Sequence, residues 1–185
     1  MDEIQTGMGR TGKLFAFQHA AVTPDLILFA KGVGGGLPLG GVIAGEKLQD
    51  LFKPGDHGTT FAPSPLSAAL GNAVLDELLD AAFQSQLQDV TQYLWDRLED
   101  LRAAFPEQLQ SLRGKGMMVG IPLSVSPEEV SRLQQNLLEE GILVDVTQKT
   151  IVRLLPPLTL TRGDVDRFME AFTREMSQLA AGKEA

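Results

Sequence analysis

The chain has 185 residues and a mass of 20.0 kDa, and 43% of it is hydrophobic, enough for one ordinary domain or one and a half small ones with a buried core. Sixteen Lys and Arg against 24 Asp and Glu leave a net charge of -8 and a pI near 4.7, so the chain has no electrostatic draw toward a polyanion and no nucleic-acid partner is expected. Cysteine is absent, which excludes disulfides, thiolate sites and iron–sulfur clusters, and His19 and His57 stand too far apart in sequence for ligand spacing, so no metal site is expected.

The opening Met1-Asp2-Glu3 has neither a basic nor an apolar region, which argues against a secretory signal. A reducing, cytoplasmic setting is expected. The longest strongly apolar run, residues 26–30, is far shorter than the roughly 20 residues a spanning helix needs, and no membrane is expected. Twelve of the 19 glycines fall in residues 1–60, where five basic residues face six acidic ones. Most of the negative charge lies beyond, so loops suited to chemistry come first and solvated helices follow.

In chain order, residues 25–30 read as a fully buried strand of a parallel or mixed sheet. Gly32 to Gly36 end it, and Gly41-Val42-Ile43-Ala44 reads as a second strand. Residues 46–52 predict a helical turn or two, closed by Lys53-Pro54-Gly55-Asp56. Residues 65–82 predict a helix beginning at proline. Leu87, Val90, Leu94, Leu98, Leu101 and Phe105 then form one apolar stripe on a 3.6-residue period, stopped by Pro106. Residues 117–123 predict a strand. Ser126-Pro127-Glu128-Glu129 is a capping box opening a helix that Gly141 ends. Residues 142–146 and 151–155 predict two strands. A last helix starts at Thr161-Arg162-Gly163-Asp164, with the stripe Val165, Phe168, Met169, Phe172, Met176 and Leu179, and a tail frayed from Ala180. The predicted division is 1–82 as part of an α/β layer and 83–185 as a long helix leading into a small α+β unit.

Three groups of residues could carry chemistry. Gly7-Met8-Gly9-Arg10-Thr11-Gly12-Lys13 fits the G-x-x-x-x-G-K frame of a phosphate loop. However, Leu14 stands where Ser or Thr would hold magnesium, and no buried strand precedes it, so a glycine-rich surface turn is the better reading. Lys31 follows the apolar strand directly and precedes Gly32-Val33-Gly34-Gly35-Gly36. An amine there stands where α/β ligand crevices form, and desolvation would favour its nucleophilic neutral form. Taken alone, it is readable either as a plain strand-end lysine or as a catalytic one. Asp2 and Gln5 near the start and Arg153 much later complete the set. A carboxylate can keep a pyridine nitrogen protonated, and an arginine can clamp a carboxylate with two parallel bonds. Singly, each is as readily a surface charge.

The segments Asp2-Glu3-Ile4-Gln5-Thr6-Gly7-Met8-Gly9-Arg10-Thr11-Gly12, Phe29-Ala30-Lys31-Gly32, Gly34-Gly35-Gly36-Leu37-Pro38-Leu39-Gly40 and His57-Gly58-Thr59-Thr60-Phe61, in that order, closely resemble the class III, ornithine-type aminotransferases. Arg113-Gly114-Lys115-Gly116 and Val152-Arg153-Leu154-Leu155-Pro156-Pro157-Leu158 continue the match, which looks most like the acetylornithine branch. The resemblance implies an α/β chain of fold type I, the carboxy-terminal part of the large pyridoxal 5′-phosphate-binding domain followed by a small α+β domain. It implies that Lys31 is the internal-aldimine lysine and proton shuttle, that Asp2 pairs with the pyridine nitrogen, that Ile4 packs on the ring and that Gln5 sits near its phenolic oxygen. Thr60 would reach the cofactor phosphate of the other subunit in a homodimer, and Arg153 would bind the substrate α-carboxylate. The implied reaction moves an amino group from an N-acetylornithine-like donor to 2-oxoglutarate. Ornithine, 4-aminobutyrate and succinyl-diaminopimelate enzymes share these motifs.

Two departures stand out. Ala62-Pro63-Ser64-Pro65 replaces the family's Gly-Gly-Asn-Pro, which stiffens the turn after Thr60 and removes donors. The resemblance also covers less than half of a usual member, so activity of this chain alone is not implied. The alternative is a non-catalytic remnant or dimerising fragment.

Overall fold

The computed structural model describes residues 1–48, 50–60, 62 and 64–181, and these divide into two units, Met1–Ser85 and Gln86–Ala185. Among the described residues no helix is long and apolar enough to cross a membrane.

The first unit is built around a short sheet. Strand β1 (Leu26–Phe29) pairs antiparallel with β2 (Gly41–Ala44), with Leu28 opposite Val42. On its other edge Asp2 forms a parallel bridge with Leu28: the Glu3 amide donates to the Leu28 carbonyl and the Leu28 amide to Met1, both at 2.9 Å. The pairing is therefore mixed, as expected, but the predicted full burial of β1 is not found. Only Ile27 of the strand is buried, and Val42 and Ile43 of β2 are about half exposed.

A single 3-10 turn, Lys31–Gly34, follows β1 and packs against helix α1 (Pro65–Leu79). Gly71 allows that approach, since a Cβ there would meet Leu39 at 2.6 Å and the Val33 carbonyl at 3.4 Å. Ser64 caps α1 by accepting from the Ser67 amide, and Pro65 takes the first helical position, where its missing N–H leaves no bond unmade. The helix stops at Leu79, short of the expected 82, because Asp80 is extended (ψ 129) and its carboxylate accepts from the Phe83 amide to start the next helix. Of the helical turns expected over 46–52, the structure has one 3-10 turn, Glu46–Leu48; Gln49 lies outside the described residues.

Helix α2 (Ala81–Ala104) carries the chain into the second unit, and Leu87, Val90, Leu94, Leu98 and Leu101 of its predicted stripe are buried, whereas Phe105, the last of that stripe, lies just past the helix end and is half-buried. A four-stranded antiparallel sheet follows in the order β3 (Arg113–Lys115), β4 (Met118–Pro122), β6 (Ile151–Leu154), β5 (Asp145–Thr147). Val119 and Ile121 of β4 and Val152 and Leu154 of β6 are buried. They share a core with Val130, Leu133 and Leu137 of α3 (Pro127–Glu139) and Val165, Met169, Phe172 and Met176 of α4 (Arg162–Ala181). Each such fully buried side chain contributes about 1.5–3 kcal/mol relative to exposure. The capping box at Ser126 and Glu129 is formed in full. Helix α4 runs to Ala181 rather than fraying from Ala180, and the last four residues lie outside those described.

Two strand expectations are corrected. Strand β3 was not foreseen, because Arg-Gly-Lys carries no apolar alternation. The strand expected over 142–146 is displaced to Asp145–Thr147. Its first residues close α3 instead: the Gly141 amide donates to Leu138 and the Ile142 amide to Leu137, with Gly141 at φ 75.

Candidate active site

The site begins with the loop that Asp2 opens. The Asp2 side chain is exposed and accepts from the Ile4 amide at 3.0 Å, so its carboxylate is held by the backbone two residues on. Glu3, next to it, is 1% exposed. Its carboxylate accepts from the Thr6 hydroxyl and from the amides of Ala16 (3.0 Å) and Phe17 (2.8 Å), tying the strand end to the far side of the glycine loop. Burial alone pushes the Glu3 carboxyl up, but the Thr6 hydroxyl and the two amides together outweigh it and hold the group below its ordinary value. The Gly7 amide returns to the Glu3 carbonyl at 2.9 Å, and a Cβ on Gly7 would stand 2.8 Å from that oxygen. Ile4 and Gln5 are half-buried in the same turn. Residues 4–11 are turns throughout, so the phosphate-loop frame has neither the strand before it nor the helix after it.

Lys31 stands at the first position of the 3-10 turn after β1, with φ 52, a left-handed conformation that costs a side-chain-bearing residue about 1–2 kcal/mol. Backbone strain of this kind collects at functional positions. The side chain is exposed, and among the described residues it has no ion-pair or hydrogen-bond partner. A Cβ on Gly32 would lie 3.4 Å from the Met8 Cβ, so the Lys31 turn and the Asp2 loop meet at that point. The structure thus brings Asp2, Ile4, Gln5 and Lys31 onto adjoining segments of one unit.

Thr60 belongs to the same unit and is exposed in the loop before α1. Phe61 and Pro63 beside it lie outside the described residues. Arg153 belongs to the second unit, half-buried on β6 and ion-paired to Asp145, its register partner on β5. Its Nε is buried without an acceptor. Arg153 and Asp145 line a cavity of about 770 Å³ whose walls include Leu143, Val144, Leu155, Pro156 and Phe168.

Sequence reasoning missed Glu3 and Asp145. Each is a charged residue whose role depends on what folds beside it, and no spacing in the chain announces that.

Comparison with known proteins places this arrangement. The family model for class-III aminotransferases matches residues 1–176. The acetylornithine aminotransferase of Caldanaerobacter subterraneus subsp. tengcongensis is 37% identical over 179 residues, covering 97% of this chain and 44% of that protein. The mitochondrial acetylornithine aminotransferase of Saccharomyces cerevisiae is 36% identical over 182 residues, covering 97% and 42%. Among solved structures, the acetylornithine aminotransferase of Elizabethkingia anophelis superposes with a TM-score of 0.85 at 31% identity, over 95% of this chain and 44% of that one. The ornithine aminotransferase of Toxoplasma gondii, described with partial occupancy of pyridoxal phosphate at its active site, gives 0.87 at 27% identity, over 100% and 44%. The chain spans a little under half the length of the relatives it matches. Its fold is that of the carboxy-terminal part of a fold type I enzyme, and the chain belongs to the class-III aminotransferase family.

Proposed function

We propose that this chain is the catalytic-lysine half of a pyridoxal 5′-phosphate-dependent aminotransferase that moves an amino group from an N-acetylornithine-like donor to 2-oxoglutarate. The observation that carries the reading is Lys31, an exposed amine with no hydrogen-bond or ion-pair partner among the described residues, held at φ 52 beside the Asp2 loop in a chain of this family. The donor is inferred from relatives named acetylornithine aminotransferase at 36–39% identity. On this reading 1–82 is the end of the cofactor-binding domain and 83–185 the small domain.

The residues present fit the cofactor. An aldehyde needs a free amine, which Lys31 offers; a pyridine nitrogen needs an acid beside it, which Asp2 offers; and the turn around Ile4 and Gln5 adds an apolar and an amide side chain. When bound, the cofactor supplies a conjugated ring that accepts the electron pair released at the substrate Cα. Asp2 holds the proton on the ring nitrogen. Ile4 would cover one ring face and Gln5 would hold the phenolic oxygen. Lys31 Nζ would take the proton from the donor Cα and return it one position away. Arg153 orients the α-carboxylate through its planar fork. Thr60 would donate to the cofactor phosphate across a homodimer interface. A cytoplasmic setting belongs to this proposal, although the yeast relative's name places that protein in mitochondria.

The alternative reading is a dimerising, non-catalytic fragment of such an enzyme. The test is glutamate formation by the full chain with pyridoxal phosphate, N-acetylornithine and 2-oxoglutarate. Turnover that disappears in Lys31→Arg supports the aminotransferase. A stable dimer that yields no glutamate supports the fragment.

A further inference from the structure

Among the described residues of the first unit, two that bear side chains take the left-handed conformation, Met8 at φ 56 and Lys31 at φ 52. Their segments touch. A Cβ on Gly32, the residue after Lys31, would lie 3.4 Å from the Met8 Cβ and 4.0 Å from its Cγ. Each such conformation is costly and persists only where the surroundings over-determine it.

The hydrogen bonds of the 3-10 turn hold Lys31 poorly. The Val33 amide reaches the Ala30 carbonyl at 3.5 Å and the Gly35 amide the Gly32 carbonyl at 3.4 Å. Both exceed the roughly 3.2 Å of a good bond. Packing holds the turn from two sides instead. On one side Val33 is 3% exposed, and its carbonyl stands 3.4 Å from where a Cβ on Gly71 of α1 would be. On the other side lies Met8, which is 7% exposed.

Met8 is itself backed by a fixed loop. A Cβ on Gly7 would stand 2.8 Å from the Glu3 carbonyl and 3.2 Å from the Phe15 ring, and both Glu3 and Phe15 are buried. Beyond Met8, the Gly9 amide donates to the Leu14 carbonyl at 3.3 Å and the Gly12 amide to the Gly9 carbonyl at 2.9 Å. Direct contacts therefore run from buried Glu3 through Gly7 and Met8 to Gly32 and the backbone of Lys31.

We infer that Met8 is a positioning residue for Lys31: its buried side chain, packed on Gly32, keeps Lys31 in the left-handed region and so fixes where the arm of the amine sets out. This deepens the proposed function and rests on its assignment of Lys31. Without the Met8 contact the backbone at Lys31 can relax toward the right-handed region, which a residue with a side chain prefers by about five- to thirtyfold. The swing at Cα grows along the flexible four-carbon stem, and Nζ is then no longer presented in one place.

The test is to mix the full chain with pyridoxal phosphate, reduce with borohydride, and read by mass the label on Lys31 relative to Lys13, an exposed lysine of the same unit. Met8→Ala is expected to lower that ratio about fivefold or more, with the Ala16 and Phe17 amides exchanging as slowly as in the parent. Met8→Leu, of similar volume, is expected to keep it within about twofold. Gly32→Ala added to Met8→Ala puts a methyl into the vacated space and is expected to recover part of the loss, which a role in stability alone would not give. If Met8→Ala loses the slow exchange, Met8→Gly, which suits φ 56, is read in its place. A folded Met8→Ala or Met8→Gly labelled as the parent is would overturn the inference and leave Lys31 as the proposed catalytic amine. A parent chain with no preference for Lys31 over Lys13 overturns the proposed function, and the inference with it.

Discussion

The Glu3 carboxylate accepts from the Phe17 amide at 2.8 Å across a separation of fourteen residues, and the loop between them contains every glycine of the motif that Asp2 opens. One buried charge therefore fixes the path of the segment that presents Asp2, Ile4 and Gln5. The carboxylate works here because it is an acceptor only, with lone pairs enough for a hydroxyl and two amides at once.

Replacing Glu3 by Gln keeps the volume but turns one acceptor oxygen into a donor that faces amides. The first unit is expected to lose about 1–3 kcal/mol, and the Ala16 and Phe17 amides to exchange with solvent faster than the rest of the unit. Hydrogen exchange read residue by residue checks this. Uniform exchange across residues 1–20 in both proteins would contradict it.

The same group sets an acid limit. A carboxyl held below its ordinary value in the folded chain contributes stability that is fully present above the unfolded pKa, about 4.3 for glutamate, and is lost as pH falls through the lowered folded value. Circular dichroism melts between pH 6 and pH 3 should show this decline in the parent chain. Glu3→Gln should show a shallower one, because its side chain does not titrate.

In the second unit, the turn between β5 and β6 holds Gln148 at φ 49 and Lys149 at φ 67, although neither residue favours that region. Lys149→Gly or Gln148→Asn is expected to gain about 0.5–1 kcal/mol, since the left-handed penalty exceeds the entropy cost of the replacement. Urea unfolding followed at Trp95 reads it directly. Trp95 is the single tryptophan, and its indole N–H donates to the Gly116 carbonyl of this unit at 2.9 Å. The same assay separates two glycines: Gly114→Ala should cost about 2–4 kcal/mol, while Gly120→Ala should fall within about 1 kcal/mol of the parent.

The helices of the second unit were legible because burial on one face leaves a 3.6-residue stripe, and Leu94, Leu98, Phe172 and Met176 lie where that stripe puts them. Strand β3 was illegible because Arg113-Gly114-Lys115 is exposed at a sheet edge and needs no apolar pattern. The 142–146 run misled for a different reason. Ile142 is apolar because it closes the end of α3, and Leu143 is 84% exposed at the rim of a cavity, so hydrophobicity there does not mark a strand. In the site, Asp2 and Lys31 stood out through their surrounding motif. Glu3 did not, since a charge buried by three local donors looks in sequence like any solvated glutamate.

The most direct test of the account is to mix the full chain with pyridoxal phosphate, reduce with borohydride, and map the pyridoxyl group by mass. The account predicts one principal label, on Lys31, that is absent in Lys31→Ala and weakened in Asp2→Asn. Labelling scattered over the surface lysines, or equal in Lys31→Ala, would contradict it.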